Sequence, residues 1–166
     1  ADEGVPIRPG PDGARLPALA NEFVAQGLYD REFVARYPTG GPLVITDPAS
    51  PQHGLIAADE DADPVNPSYP QNQLWWDRHS NRAVPTHTAG ADPNLFGEFR
   101  LADGLPVKPS FQLLAERVDD CTPEWAAEIT GIPAETIRRL AHEMGITARD
   151  HRIELPIPWT DAWGAE

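Results

Sequence analysis

The chain has 166 residues, and its 13 Lys and Arg against 26 Asp and Glu give a formal net charge of −13 at pH 7. This charge argues against a general nucleic-acid or anionic-membrane binder, because phosphate contacts need clustered basic residues, and Lys108 is the single lysine. No apolar run approaches the roughly 18 residues of a membrane-spanning helix. The single cysteine, Cys121, excludes an internal disulfide and a Cys-ligated zinc or iron–sulfur site within these residues.

Two helices and a strand are predicted near the N-terminus. Apolar residues recur at the spacing of one helix face across 14–27. The residues expected on the buried side of this helix are Leu16, Leu19, Ala20, Phe23 and Val24. A second, shorter helix is predicted over 30–37. The residues expected on its buried side are Phe33, Val34 and Tyr37. The β-branched run at 43–46 predicts a short buried strand.

Proline is the compositional outlier of the middle region. The chain has 19 prolines, about twice the usual share of roughly 5%. Eleven of them lie within 38–109, which predicts a long irregular excursion between two helical regions. A further strand is expected at 54–58, and the acidic stretch at 59–69 is expected to be a surface loop.

Two hairpins are predicted inside this excursion. The run at 73–77 predicts a strand followed by a turn, and one of its two tryptophans is expected to be buried. The dipeptide Asp103-Gly104 lies between two short alternating runs. This arrangement predicts a hairpin over 96–107.

Three helices are predicted in the C-terminal third, over 109–118, 122–130 and 133–144. Thr122, followed by a proline, is the expected N-cap of the second. Gly131 is expected to end the second helix and Gly145 the third. The residues expected on the apolar faces are Phe111, Leu114, Val118, Trp125, Ala126, Ile129, Ile137, Leu140, Ala141 and Met144.

No catalytic centre is recognisable from local motifs. None of the five histidines pairs with another at metal-ligand spacing, and no nucleophile-elbow or phosphate-loop motif occurs. Cys121 is expected to be a buried and inert thiol. His87 is expected to be an ordinary loop residue, although the Thr and Gly residues around it are typical of a loop that approaches a ligand.

One short segment is suited to binding a ligand. Gly10, Pro11 and Asp12 place a rigid turn and a carboxylate just before the first helix. A carboxylate can accept two hydrogen bonds from a planar donor pair, such as the N1–H and N2–H of guanine. The alternative is that Asp12 simply caps the helix. The local residues leave both interpretations open.

Two longer stretches carry a family resemblance. PIRPGPDGARLPALANEFVAQGLYDREFVARY at 6–37 and CTPEWAAEITGIPAETIRRLAHEMG at 121–145 resemble segments of the molybdopterin oxidoreductases of the dimethyl sulfoxide reductase family. DGLPVKPSFQLLAERV at 103–118 is similar to the segment that precedes the second stretch. The resemblance implies an internal fragment of a catalytic subunit, with helices 122–144 serving as scaffold.

The fold implied by the resemblance is a partial molybdopterin-binding region of the α/β class. It is helix-rich, with short strands and long Pro-rich loops. Residues 7–46 would hold the cofactor turn, two helices and a short strand. Residues 47–108 would form the irregular excursion, and 109–166 a helical segment and tail.

The resemblance also implies a function. In the family, the corresponding turn contacts the guanosine of a bis(molybdopterin guanine dinucleotide) cofactor that carries molybdenum or tungsten. This role falls on Gly10, Pro11 and Asp12, although Pro11 stands where the family usually has Thr. The full-length enzyme would carry out two-electron redox chemistry on a small substrate, with a sulfur compound or an aromatic acyl-CoA preferred.

The partners implied are the remaining domains of the same catalytic subunit, with an iron–sulfur cluster in the N-terminal part, and an iron–sulfur electron-transfer subunit. We expect no nucleic-acid partner and no direct membrane insertion. The chain alone is expected to be catalytically inactive. The alternative is a standalone acidic interaction module that shares only the scaffold and has no redox activity.

Overall fold

The chain is of the α/β class, as predicted, and divides into two compact units. The computed structural model describes residues 4–8, 12–36, 40–59, 72–86 and 88–152. The described residues of unit 1 lie within Ala1–Arg31 and Leu114–Arg152, and those of unit 2 lie within Glu32–Leu113.

All five predicted helices are present. The helices are α1 (Asp12–Ala25), α2 (Arg31–Arg36), α3 (Ser110–Val118), α4 (Pro123–Thr130) and α5 (Ala134–Asp150). The strands are β1 (Leu43–Ile45), β2 (Leu74–Asp77), β3 (Arg82–Pro85), β4 (Phe99–Arg100) and β5 (Pro106–Pro109). The strand predicted at 43–46 and the hairpins predicted from 73–77 and 96–107 are confirmed.

Unit 1 is built around α1, which packs against both α4 and α5. Its fully enclosed core is small. The core residues are Ala18, Leu19, Ala126, Ile132, Ile137 and Ala141. Half of them are alanines, which allow helix axes to approach closely because little side-chain volume separates the two backbones.

The buried face of α1 is rotated from the predicted one. Ala14, Ala18, Leu19 and Glu22 are buried, whereas Leu16 is 62% exposed. The prediction that Leu16 is buried is therefore wrong. The neighbouring helices pack on the side of α1 that carries alanines, and the larger Leu16 is left at the surface.

Helix α5 continues past Gly145 to Asp150, so the predicted end at Gly145 is wrong. A Cβ atom added at Gly145 would lie 2.5 Å from the Cβ and 2.7 Å from the carbonyl oxygen of Leu28. This glycine therefore serves a close packing contact inside the helix. The predicted apolar face is confirmed at Ile137 and wrong at Met144, which is 53% exposed.

Both ends of α4 are capped as predicted. The Thr122 side chain accepts a hydrogen bond from the N–H of Trp125 at 3.2 Å. At the other end, Gly131 has φ +77° and donates its N–H to the carbonyl of Ala127. This left-handed conformation favours glycine, because it lacks a Cβ.

The outward face of α4 contradicts the prediction. Trp125 is 38% exposed and Ile129 is 40% exposed, whereas Ala126 and Thr130 are almost completely buried. The Thr130 hydroxyl donates to the carbonyl of Ala126 at 2.7 Å, which satisfies it inside the core. Small residues fill the inner face of α4, so its two largest apolar side chains point outward.

Unit 2 contains a three-stranded antiparallel sheet in the order β1-β5-β4 and a β2–β3 hairpin. Leu43 lies opposite Pro109, and Phe99 lies opposite Val107, so β5 is the central strand. The strand predicted at 54–58 is wrong as stated. In that range, Ile56 makes an isolated bridge to Val44 of β1 and Ala58 makes one to Gln73, but no continuous strand forms.

The hairpin of unit 2 buries one tryptophan, as predicted. Trp75 is 7% exposed. The indole of Trp76 stacks on Phe99 with ring centroids 4.4 Å apart, and its N–H donates to the side-chain oxygen of Asn81 at 3.1 Å. Each tryptophan thus faces a different neighbour, because successive side chains alternate across a strand.

Two more predicted apolar faces are partly wrong. In α2, Phe33 is 56% exposed, and the buried residue is Ala35. Tyr37 lies outside the described residues. In α3, Phe111 is buried, but Leu114 is 46% exposed.

Candidate functional site

The predicted cofactor turn immediately precedes α1. Gly10 and Pro11 lie outside the described residues, and so does the side chain of Asp12, whose backbone is the first helical residue. What the structure describes is the support on both sides of the turn: residues 4–8 before it and the first turns of α1 after it.

Arg8 anchors the segment that leads into the turn. Its backbone N–H donates to the carbonyl of Thr130 at 3.2 Å, and its guanidinium donates to the carbonyl of Glu128 at 3.2 Å. Both acceptors lie at the C-terminal end of α4. A cation is favoured there, because helix carbonyls concentrate negative potential at that end.

Gly131 makes room for this anchor. A Cβ atom added at Gly131 would lie 3.0 Å from Nε of Arg8. The glycine thus serves two purposes, since it adopts the left-handed cap of α4 and leaves space for the guanidinium. The segment before the turn is thereby tied to a capped helix of the core.

The first turns of α1 offer one unpaired hydrogen-bond donor and open space. Gly13 has nothing within 4 Å of the position where a Cβ would lie. Nε of Arg15 is buried and has no hydrogen-bond partner in the described part of the chain. An orphaned guanidinium N–H near the N-terminal end of a helix suits an anionic group, because both carry positive potential.

The other residues singled out from the sequence are not brought into a site. His87 lies outside the described residues. His142 is exposed on α5. Cys121 is half-buried, so the expectation of a buried thiol is wrong. Within the described ranges, no cluster of three or more His, Cys, Asp or Glu could hold a metal. None of the described helices combines the length and the hydrophobicity of a membrane-spanning helix.

Sequence reasoning missed a buried carboxylate in unit 2. Asp77 is 6% exposed. It accepts hydrogen bonds from the Ser80 hydroxyl at 2.7 Å, the Asp92 N–H at 2.9 Å and the Ser80 N–H at 2.8 Å. These donors, the Ser80 hydroxyl first, hold the pKa of Asp77 well below its ordinary value of 3.8. An Asp followed by Ser three residues later is a local signal for such a turn.

Asp77 has a structural role, since all three donors face it and keep it ionised. It connects the turn after β2 to the segment at Asp92. A group held so firmly in its charged form is a poor proton donor or base near neutral pH.

Unit 2 also contains a cleft of about 340 Å³. Most of its lining side chains are aliphatic, and Gln52 and Asp103 are the polar ones. Asp103 already accepts a hydrogen bond from the Leu105 N–H at 3.0 Å. Among its described lining residues, the cleft therefore has no pair of facing titratable groups of the kind that acid–base chemistry requires.

Comparison with known proteins shows to which family the chain belongs. No family model matches it. Over its whole length it is 58% identical to a subunit of the sulfite dehydrogenase of Allochromatium vinosum, and it covers 17% of that subunit. The chain belongs to the dimethyl sulfoxide reductase family of molybdopterin oxidoreductases.

Other members of the family show lower identity over most of the chain. Dimethyl sulfoxide reductase DmsA of Haemophilus influenzae is 30% identical over 88% of the chain, which covers 12% of that protein. The perchlorate reductase alpha subunit of Dechloromonas aromatica is 29% identical over 86% of the chain, which covers 18% of that protein. The chain thus spans less than a fifth of the length of these relatives. Membership implies a molybdopterin cofactor, and the unpaired N–H of Arg15 is the described group that suits an anionic part of such a cofactor.

Proposed function

We propose that this chain is part of the catalytic subunit of a molybdenum or tungsten oxidoreductase that carries out two-electron chemistry on a sulfur compound. The proposal rests on one observation: every residue of the chain aligns, at 58% identity, with a protein named as a subunit of sulfite dehydrogenase. The word subunit in that name supports a complex, and the partner that we propose is an iron–sulfur electron-transfer subunit.

The proposed cofactor is bis(molybdopterin guanine dinucleotide), which supplies the two-electron redox centre when bound. We assign Gly10, Pro11 and Asp12 to its guanosine end, with the Asp12 carboxylate accepting the N1–H and N2–H of guanine. Arg8 supports this assignment, because its hydrogen bonds to the end of α4 fix the chain just before the turn. Arg15 offers an N–H donor to an anionic part of the nucleotide.

These contacts are too few to hold the cofactor by themselves. A hydrogen bond to a charged group contributes about 1.5–3 kcal/mol net. Association costs at least about 4 kcal/mol in lost translational and rotational freedom. We therefore expect the isolated 166-residue chain to bind guanine nucleotides weakly or not at all, and to be inactive.

Asp12→Ala in the full-length protein tests the turn. The variant should contain less metal and less guanine nucleotide per polypeptide, because the acceptor for two N–H donors is gone. Asp12→Asn should be nearly as harmful, since its amide places a donor against a donor. Metal analysis and nucleotide released by acid are the measurements.

Asp120→Ala is the matched control, because it removes an exposed carboxylate from the connection after α3. It should leave metal and nucleotide content unchanged. If Asp12→Ala retains the full content of both, Asp12 is a helix cap and the assignment of the turn is wrong.

The substrate class needs a separate experiment. The purified full-length complex should reduce an artificial electron acceptor when sulfite is added. Dimethyl sulfoxide, supplied with a reduced dye as the electron donor, is the comparison substrate, because a dimethyl sulfoxide reductase is among the similar proteins. A complex that contains the metal but turns over neither sulfite nor dimethyl sulfoxide would overturn the proposal of a sulfur compound and leave the family assignment intact.

A further inference from the structure

The two chain segments that flank the proposed cofactor turn rest on the same helix. Before the turn, Val5 and Ile7 pack against the core of unit 1, and Arg8 donates two hydrogen bonds to the end of α4. After the turn, Ala18 of α1 lies in the same core cluster as Ala126 of α4. Helix α4 therefore supports the chain on both sides of the turn.

The end of α4 is held in place by its own hydrogen bonds. The Thr130 side chain is almost completely buried. Its hydroxyl donates to the carbonyl of Ala126 at 2.7 Å and accepts the N–H of Ile132 at 3.1 Å. The N–H of Gly131 donates to the carbonyl of Ala127 at 2.9 Å. The carbonyls at this end of the helix therefore have fixed positions, to which another segment can be tied.

Arg8 uses carbonyls that the helix itself leaves free. The carbonyls of Glu128 and Thr130 belong to the last turn of α4, where carbonyl groups have no partner within a helix. The guanidinium of Arg8 donates to the first and its backbone N–H to the second, each at 3.2 Å. The backbone and the side chain of one residue are thus both fixed, immediately before the turn.

We propose that Arg8 is a positioning residue for the guanosine end of the cofactor, and that it acts through the end of α4. The inference rests on the proposed function, because it takes Gly10 to Asp12 as the cofactor turn. Arg8 acts on the cost of ordering the chain and makes no contact with the nucleotide. A turn whose approach is fixed in advance loses less conformational entropy when its ligand binds.

Release of guanine nucleotide from the full-length holoprotein tests this role. The protein is incubated at a fixed temperature below its unfolding transition, and the nucleotide that passes an ultrafilter is measured against time. Arg8→Gln should release it about tenfold faster, because one more residue then has to be ordered on binding. Arg8→Lys should stay within about threefold of the original rate, since an ammonium group restores a charge-assisted hydrogen bond to the helix end.

Thr122→Ala is the matched control for general stability. It removes the cap at the opposite end of α4 and leaves Arg8 and its two acceptors unchanged. The variant should therefore be less stable, yet its release rate should change by less than about twofold. If Thr122→Ala and Arg8→Gln speed release equally, Arg8 acts only through the stability of unit 1 and the inference is wrong.

Gly131→Ala tests the same contact from the side of α4. Gly131 and Gly27 each follow the end of a helix with a positive φ, +77° and +62°, so alanine should strain the backbone similarly at both. A Cβ atom at Gly131 would lie 3.0 Å from Nε of Arg8, whereas one at Gly27 has nothing within 4 Å. Gly131→Ala should therefore speed release several-fold more than Gly27→Ala, and equal rates would contradict the inference.

The results also separate this inference from the proposed function. An unchanged release rate in Arg8→Gln, in a protein that loses its nucleotide on Asp12→Ala, would overturn the inference and leave the cofactor turn supported. A full-length protein that contains no guanine nucleotide would overturn both. Neither result depends on the enzymatic activity of the variants.

Discussion

Replacing Gly145 by Ala should destabilise unit 1, although alanine is the better helix former. A Cβ atom at this position would lie 2.5 Å from Cβ and 2.7 Å from the carbonyl oxygen of Leu28, whereas ordinary contact begins at 3.4 Å. Neither atom can rotate away, so the backbone around Leu28 or α5 has to move by close to 1 Å. Overpacking of this kind costs about 1–3 kcal/mol.

Helix propensity opposes this steric cost, because it favours alanine over glycine. Alanine in a helix interior is favoured over glycine by about 0.8–1 kcal/mol. Because the close contacts of Gly145 are with backbone and Cβ atoms, the steric cost should lie toward its upper end. The net change in the free energy of unfolding should therefore be a loss of about 1–2 kcal/mol.

Urea unfolding of the 166-residue chain, followed by far-UV circular dichroism, measures this loss. With a slope of about 2 kcal/mol per molar urea, the midpoint should fall by about 0.5–1 M. Gly13→Ala is the matched control, since it is the same substitution in a helix with nothing within 4 Å of the new atom. It should leave the midpoint unchanged or raise it slightly. A Gly145→Ala midpoint at or above that of the original chain would refute the packing argument.

Three further substitutions test other contacts by thermal or urea unfolding. Thr122→Ala should cost about 1 kcal/mol, because it removes the N-cap of α4, and a loss below a few tenths would show that the cap is dispensable. Arg138→Met should lower the free energy of unfolding by about 1–3 kcal/mol, since it removes the cation 3.5 Å from the nearly buried Glu22. Adding Glu22→Gln to that variant should recover part of the loss. Asp77→Asn should lower the unfolding temperature most near neutral pH. The depressed pKa of Asp77 means that its stabilising effect is present above about pH 3.8 and is lost as the pH falls further, so an Asn variant whose deficit stays constant down to pH 2 would contradict this role.

The signals that predicted correctly were local ones. Thr122 and Gly131 marked both ends of α4, because capping depends on the residue at the end of the helix and not on distant contacts. The Asp103-Gly104 turn likewise predicted its hairpin. For the candidate site, the residue pattern and the family resemblance indicated Gly10 to Asp12, whereas the anchor of Arg8 on the end of α4 joins residues 120 positions apart. Only the folded chain could reveal that anchor.

The tertiary structure decided which side of each helix is buried. Size and apolarity favoured Leu16, Trp125 and Met144 as core residues, and all three are exposed. The helices of unit 1 instead approach through small residues such as Ala18, and Gly145 lets α5 touch the backbone at Leu28. Close approach buries more backbone and fills space with few side-chain atoms, so a sequence period shows that a helix exists but not which of its faces a neighbour will choose.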